Sequence, residues 1–323
     1  MRVRGLVVPL IAGVTMMAGV ATGAGAAVTP ENVTLVALPD VGGTPAVIAG
    51  VVPPLTKSPA VAAAKCREPE CDVTYHGGPV QTRPAVYLLF WGPKWGESRF
   101  KAAFSYVYKF FKGLGGGSWS ATISQFGGKT GHPEFGKSQL RGAYLDTEAP
   151  PKMVGPVQLS GVVTQLAAKV HLKGSNVQVV VATQQGTCFS DGFAGSCGKV
   201  NPKAEYCSYH SVTARGIPFL NLPYEPDAGK LCGQNLVNRG ADGRYDAFSI
   251  AGGHEYAETI TDPVPVSGWI DLRDSVSGGE IADKCVFGGR PFGVRDPLRD
   301  VHLSTGSFAM QSLWSNKAHR CAI

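Results

Sequence analysis

An α/β (α+β) domain, built as a mixed β-sheet with flanking helices, is predicted by three observations in this chain of 323 residues. Apolar runs of strand length, PAVYLLFWG at 84–92 and NVQVVVATQ at 176–184, are too short for buried helices and are bounded by turn residues. Between them lie stretches whose apolar residues recur every three or four positions, the signature of helices packed on a sheet. Residues 186–235 carry too much Gly, Pro and Asn for long elements, and together with the cysteines they predict disulfide-bound loops with short strands such as GIPFLNLPY.

Taken in order, residues 1–26 read as a secretory signal peptide. Arg2 and Arg4 form a basic start, LVVPLIAGVTMMAGVA an apolar core, and AGA at 24–26 a small-residue cleavage site. The apolar run contains Pro9 and falls short of the roughly 20 residues that a membrane span needs. Residues 27–72 form a leader rich in Ala, Val and Pro with almost no aromatic residue, which predicts an extended, poorly ordered segment; VTLVALP within it has the composition of an edge strand as the alternative. Residues 73–323 have the texture of a single globular domain.

Inside that domain 84–92 is a buried strand. The stretch 97–117 is helical, because Phe100, Ala103, Phe104, Val107, Tyr108 and Phe111 fall on one stripe and Gly113 to Gly117 supply the stop. A second helix is expected at 159–173, followed at once by a strand. A third runs from Ala247 to about Ile260, with Asp246 as its N-cap and Pro263 preventing continuation.

Composition narrows the function. The formal charge is +6, and +4 without Arg2 and Arg4; no window is densely basic, which argues against nucleic acid as a partner. After signal cleavage no membrane association is expected, and the product is secreted and extracellular. Eight cysteines, Cys66, Cys71, Cys188, Cys197, Cys207, Cys232, Cys285 and Cys321, favour disulfides in an oxidising compartment. Cys66 with Cys71 and Cys188 with Cys197 are the first choices because they close short loops.

The third helix carries the chemistry. Ala247, Ile250, Ala251, His254, Ala257, Glu258 and Thr261 share one stripe, so His254 and Glu258 stand one turn apart on a face expected to be buried. An unpaired buried carboxylate costs several kcal/mol, on the order given by its desolvation, and a divalent metal held by His254 and Glu258 would satisfy both groups. Glu255, one residue on, could act as general base on a metal-bound water. HEYAE thus resembles the zincin-type H-E-x-x-H helix with Glu in place of the second His, a change that admits Mn²⁺ or Ca²⁺ beside Zn²⁺. A third ligand is sought in GGEIADKC. There Glu280 is assigned to the metal and Asp283 to the ring N–H of His254, from behind the ligand shell. Asp262 competes for the third position, and Asp271 is a weaker candidate. His210 is weighed as a satisfied structural imidazole and as a group binding a transition-state oxyanion. Gly252 and Gly253 cost about 1 kcal/mol each inside a helix, which predicts a backbone or ligand approaching closely there, or else a helix that starts only at Gly253.

HEYAETITDP, GWIDL and GGEIADKC, with VYLLFWGPKW, GSWSATISQF, the stretch from Cys197 to Ser211 and QSLWSNKAHRCA, resemble the plant phosphate-induced, EXORDIUM-like family of secreted proteins and its bacterial relatives. The resemblance covers most of residues 80–323. It implies a secreted protein with a zincin-like helix suited to hydrolysis, and similarity to the thermolysin-type arrangement implies the same roles for Glu280 and Asp283. Two functions follow as expectations. One is a metal-dependent hydrolase, a zinc peptidase acting on a peptide or cell-wall polymer. The other is a non-catalytic extracellular protein with a structural metal or a buried acid network, in which Trp91 and Trp95 of WGPKW stack on glycan unless they belong to the core.

Overall fold

Two strands come from the segment expected to be poorly ordered. The computed structural model describes residues 33–38, 47–52, 54–55, 71–274, 279–288 and 298–323. In it β1 (Thr34–Val36) and β2 (Val47–Val52) are the outermost strands of a seven-stranded sheet. The strand composition of VTLVALP prevails over the lack of aromatic anchors, since pairing gives the backbone N–H and C=O groups fixed partners. The signal segment and Cys66 lie outside the described residues.

The short β3 (Thr74–Tyr75) leads into β4 (Ala85–Trp91), which pairs parallel on both sides and is buried over its last four residues. Helices α1 (Lys101–Gly113) and α2 (Ser118–Ile123) follow, then β5 (Leu140–Asp146), α3 (Pro156–Lys169) and β6 (Val177–Thr183). Every residue of β6 is buried, as a strand covered on both faces requires. The antiparallel pair β7 (Ser208–Val212) and β8 (Pro218–Leu222) precedes α4 (Asp246–Thr261). Beyond it, β9 (Trp269–Ile270) returns to β3, and two hairpins close the chain: β10 (Leu298–Leu303) with β11 (Gly306–Gln311), and β12 (Leu313–Ser315) with β13 (Arg320–Ala322). The sheet order is β1-β5-β4-β6-β8-β7-β2, parallel from β1 to β8 and antiparallel from β8 to β2.

The expected stripe on α1 is largely core: Ala103, Phe104, Val107 and Phe111 are buried, with Phe104 stacked on Phe90 of β4 at 3.9 Å between ring centres. Trp91 and Trp95 are buried too. Trp95 donates to the Ala182 carbonyl at 2.9 Å, so the proposed glycan-stacking pair is part of the core. Helix α3 begins at Pro156, earlier than expected, because proline suits the first helical position and the Gln158 side chain accepts the Gly155 N–H at 3.0 Å.

Helix α4 is buried on every face, not along one stripe. It packs between β7 and β8 on one side and β11 on another, with α1 and α2 alongside. Asp246 is its first residue, not an N-cap; its carboxylate accepts the Val237 and Asn238 backbone N–H groups at 3.2 and 2.8 Å and so ties the helix to the preceding loop. Side chains, not a neighbouring backbone, approach the two glycines. A Cβ on Gly252 would lie 3.1 Å from the Phe111 ring, and one on Gly253 would lie 3.3 Å from the Phe110 ring. Both residues sit inside the helix, where they let the aromatic side of α1 approach.

Past β8, Asp227 accepts the Gly186 N–H at 2.7 Å, and burial pushes its carboxyl up to about 6. A carboxyl whose folded pKa exceeds its unfolded value favours folding least when ionised, so this contribution is lost as pH rises from about 4 to about 6. Wild type is therefore expected to lose about 2 kcal/mol relative to Asp227→Asn between pH 4 and pH 7, after allowance for partial solvent screening, measured by urea unfolding of both proteins. A constant difference across that range would show that Asp227 titrates normally.

Candidate metal centre

The imidazole and both carboxyl groups of HEYAE are buried: His254, Glu255 and Glu258 have no exposed surface. Their surroundings fix the protons. Gln311 of β11 donates its amide Nε2 to the Ala282 carbonyl at 2.9 Å, which leaves Gln311 Oε1 facing His254 Nδ1 at 3.2 Å. An amide oxygen only accepts, so Nδ1 carries the ring proton. In the neutral ring Nε2 is then a bare lone pair. It points at Glu258 Oε1, 3.0 Å away, and Asp283 Oδ1, 3.3 Å away, with no aligned hydrogen bond to either. Three electron-rich atoms meeting at one place need a cation or an additional proton between them.

The turn opposite α4 is built for this meeting. Gly279 adopts φ +86°, and a Cβ there would lie 2.4 Å from the Asp271 carbonyl, so only glycine lets the chain turn into Glu280. The Ala282 and Asp283 N–H groups then donate to Glu258 Oε1 at 3.1 and 2.9 Å, while Asp283 Oδ2 accepts the Glu280 N–H at 3.3 Å. Asp283 Oδ1 and Glu258 Oε2 are left without donors. Cys285 anchors the turn through its disulfide with Cys321 of β13.

A second group adjoins the first. His210 of β7 places Nδ1 3.2 Å from Glu255 Oε2 and 3.8 Å from Glu258 Oε2, and its Nε2 lies 3.2 Å from the Asp262 carbonyl. Ser208 on the same strand donates to Glu255 Oε1 at 3.0 Å. Glu280 brings Oε1 to 3.7 Å from His210 Nε2, and neither of its oxygens has a donor.

Electrostatics follow from burial. Desolvation drives Glu280 well above the ordinary carboxyl range, with the Glu258 charge adding to it, and pushes Asp283 up to about 7. Glu255 is raised by burial against the opposing bond from His210. For the imidazoles burial alone would lower the pKa. The neighbouring carboxylates win, so His210 is raised through Glu255 and His254 well raised through Glu258 and Asp283.

The structure therefore brings together His254, Glu255, Glu258, His210, Glu280 and Asp283. It exchanges the positions expected for two of them. Asp283, assigned to the His254 ring N–H, stands at the lone-pair side of the imidazole, and Gln311 takes the N–H; Glu280, assigned to the metal beside His254, stands next to His210. Asp262 turns its carboxylate away to accept the Val266, Ser267 and Gly268 N–H groups at 2.6, 3.1 and 2.7 Å. Asp271 pairs with Arg273 at 2.8 Å and Lys284 at 3.0 Å, partners that overcome burial and lower its pKa. Both nitrogens of His210 are engaged, so it offers no free N–H to an oxyanion. Sequence reasoning gave no role to Gln311 or Ser208, although both lie in stretches quoted for the family resemblance, because neither side chain is of a type that announces a ligand.

Of the cysteines, Cys188 pairs with Cys197 as expected, and Cys207–Cys232 and Cys285–Cys321 are the long-range bridges. Cys71 is also disulfide-bonded. Glu225 lies beside the Cys207 and Cys232 sulfurs, but a disulfide offers no thiolate to a metal. Among the described residues no helix is long and apolar enough to cross a membrane. Compared with known proteins, the chain matches no family model, no curated protein and no solved structure. The EXORDIUM-like resemblance rests on the quoted motifs.

Proposed function

We propose that the protein is a secreted, metal-dependent hydrolase whose divalent cation is held by His254, Glu258 and Asp283. The observation that supports this most is His254 Nε2: its ring partner is already protonated toward Gln311, and two buried carboxylate oxygens face it within 3.3 Å. When bound, the cation would act as a Lewis acid and lower the pKa of water at the site. Gln311 holds the imidazole in the tautomer that leaves Nε2 free. The Ala282 and Asp283 N–H groups keep Glu258 turned toward it. Glu255, oriented by Ser208 and His210, is the proton acceptor in this reading, and the EXORDIUM-like motifs agree with a secreted product.

One observation favours a second reading. His210, His254, Glu255, Glu258, Glu280 and Asp283 are all at most 1 % exposed, which suits a structural cation. Metal content and peptide hydrolysis of wild type and Glu255→Gln separate the two. A hydrolase is expected to carry Zn²⁺ or Mn²⁺ and to lose at least 100-fold in turnover in the variant, the scale of a general base. Full metal occupancy with no turnover on a broad peptide library supports the structural ion, and protein that takes up no metal rejects both.

A further inference from the structure

We propose that the cluster holds two divalent cations, bridged by the Glu258 carboxylate, with the second at His210 Nδ1, Glu255 Oε2 and Glu258 Oε2. The proposal rests on the cation reading of the first position. The second position lies on the opposite side of Glu258. A backbone carbonyl only accepts, so Nε2 of His210 donates to the Asp262 carbonyl at 3.2 Å. Nδ1 meets Glu255 Oε2 at 3.2 Å and Glu258 Oε2 at 3.8 Å, and a cation there would replace the proton that Nδ1 shares with Glu255. Glu258 divides its oxygens accordingly: Oε1 faces His254 and Asp283, while Oε2 faces His210 and Glu255 and has no donor. The two ligand sets share this one residue, and in each the donor atoms lie within 4.8 Å of one another.

Charge gives an independent reason. Glu255, Glu258, Glu280 and Asp283 are buried together, and among the described residues no lysine or arginine pairs with any of them. Lys284, buried nearby, is committed to Asp271 and Asp274. With no lysine or arginine of its own among the described residues, the cluster is neutralised either by protons or by metal ions, and two ions bridged by Glu258 would displace those protons. One imidazole and carboxylate oxygens at each position suit Zn²⁺ or Mn²⁺. A residue that holds the second ion is not also a free base, so this arrangement takes Glu255 out of proton transfer.

The test is metal stoichiometry of the full chain, stripped with a chelator, reloaded with Mn²⁺ and desalted, read by elemental analysis and by low-temperature EPR. Wild type is expected to hold two Mn²⁺ per chain with the spectrum of an exchange-coupled pair. His210→Gln and Glu255→Gln are each expected to fall to one ion with an isolated six-line signal. One ion per chain in wild type overturns the pair and leaves the hydrolase reading standing; no ion overturns both. Because the wild-type count decides, a variant that fails to fold does not blunt the test.

Discussion

Stripping divalent cations from the purified protein is expected to lower its melting temperature by about 10 °C. A ligand that binds only the folded state stabilises it by about 4 kcal/mol when present at a thousand times its dissociation constant. In a domain of this size each kcal/mol moves the melting point by about 2–4 °C. Without the cation, the oxygens of Glu258, Glu280 and Asp283 that lack donors must take up protons or repel one another in a buried site. Differential scanning fluorimetry with EDTA, and then with Zn²⁺ or Mn²⁺ restored, measures the shift. A melting curve indifferent to both would mean that protons alone neutralise the cluster.

Replacing Cys285 and Cys321 together by alanine is expected to cost about 4 kcal/mol, against about 2.5 kcal/mol for the Cys188 and Cys197 pair. The ranking comes from loop length, 36 residues of separation in the first bridge and 9 in the second. The first also holds the turn bearing Asp283, so its loss is expected to weaken cation binding, whereas loss of the second leaves binding intact. Urea unfolding with and without added Zn²⁺ checks both statements. Equal destabilisation by the two double variants would contradict the ranking.

Much of the fold could be read from local pattern. Residues 85–91, 101–113 and 177–183 declare themselves because their apolar pattern is set by the same burial that the folded sheet imposes, whereas 246–261 was legible from its length and from Pro263 beyond it. Strand β5, LRGAYLD, escaped notice because Arg141, Gly142 and Asp146 interrupt any apolar run; its place is fixed by β4 and β1 on either side. At the site, the i, i+4 spacing of His254 and Glu258 was legible from helix geometry alone. The exchange between Glu280 and Asp283 was not, since it depends on which side of the turn faces α4, and Gly279 and the Glu258 hydrogen bonds decide that. Gln311 comes from a hairpin 57 residues further along, a distance no motif spans.

The two strands contributed from ahead of Cys71 have a bearing on processing. With β1 on β5 and β2 on β7, the sheet has both rims occupied by its own N-terminal chain. A protease that trimmed the protein to Cys71 would bare two rows of backbone donors and acceptors, ready templates for strands from other molecules. Maturation by such a cut would therefore uncover the edges of β5 and β7 that β1 and β2 now pair with.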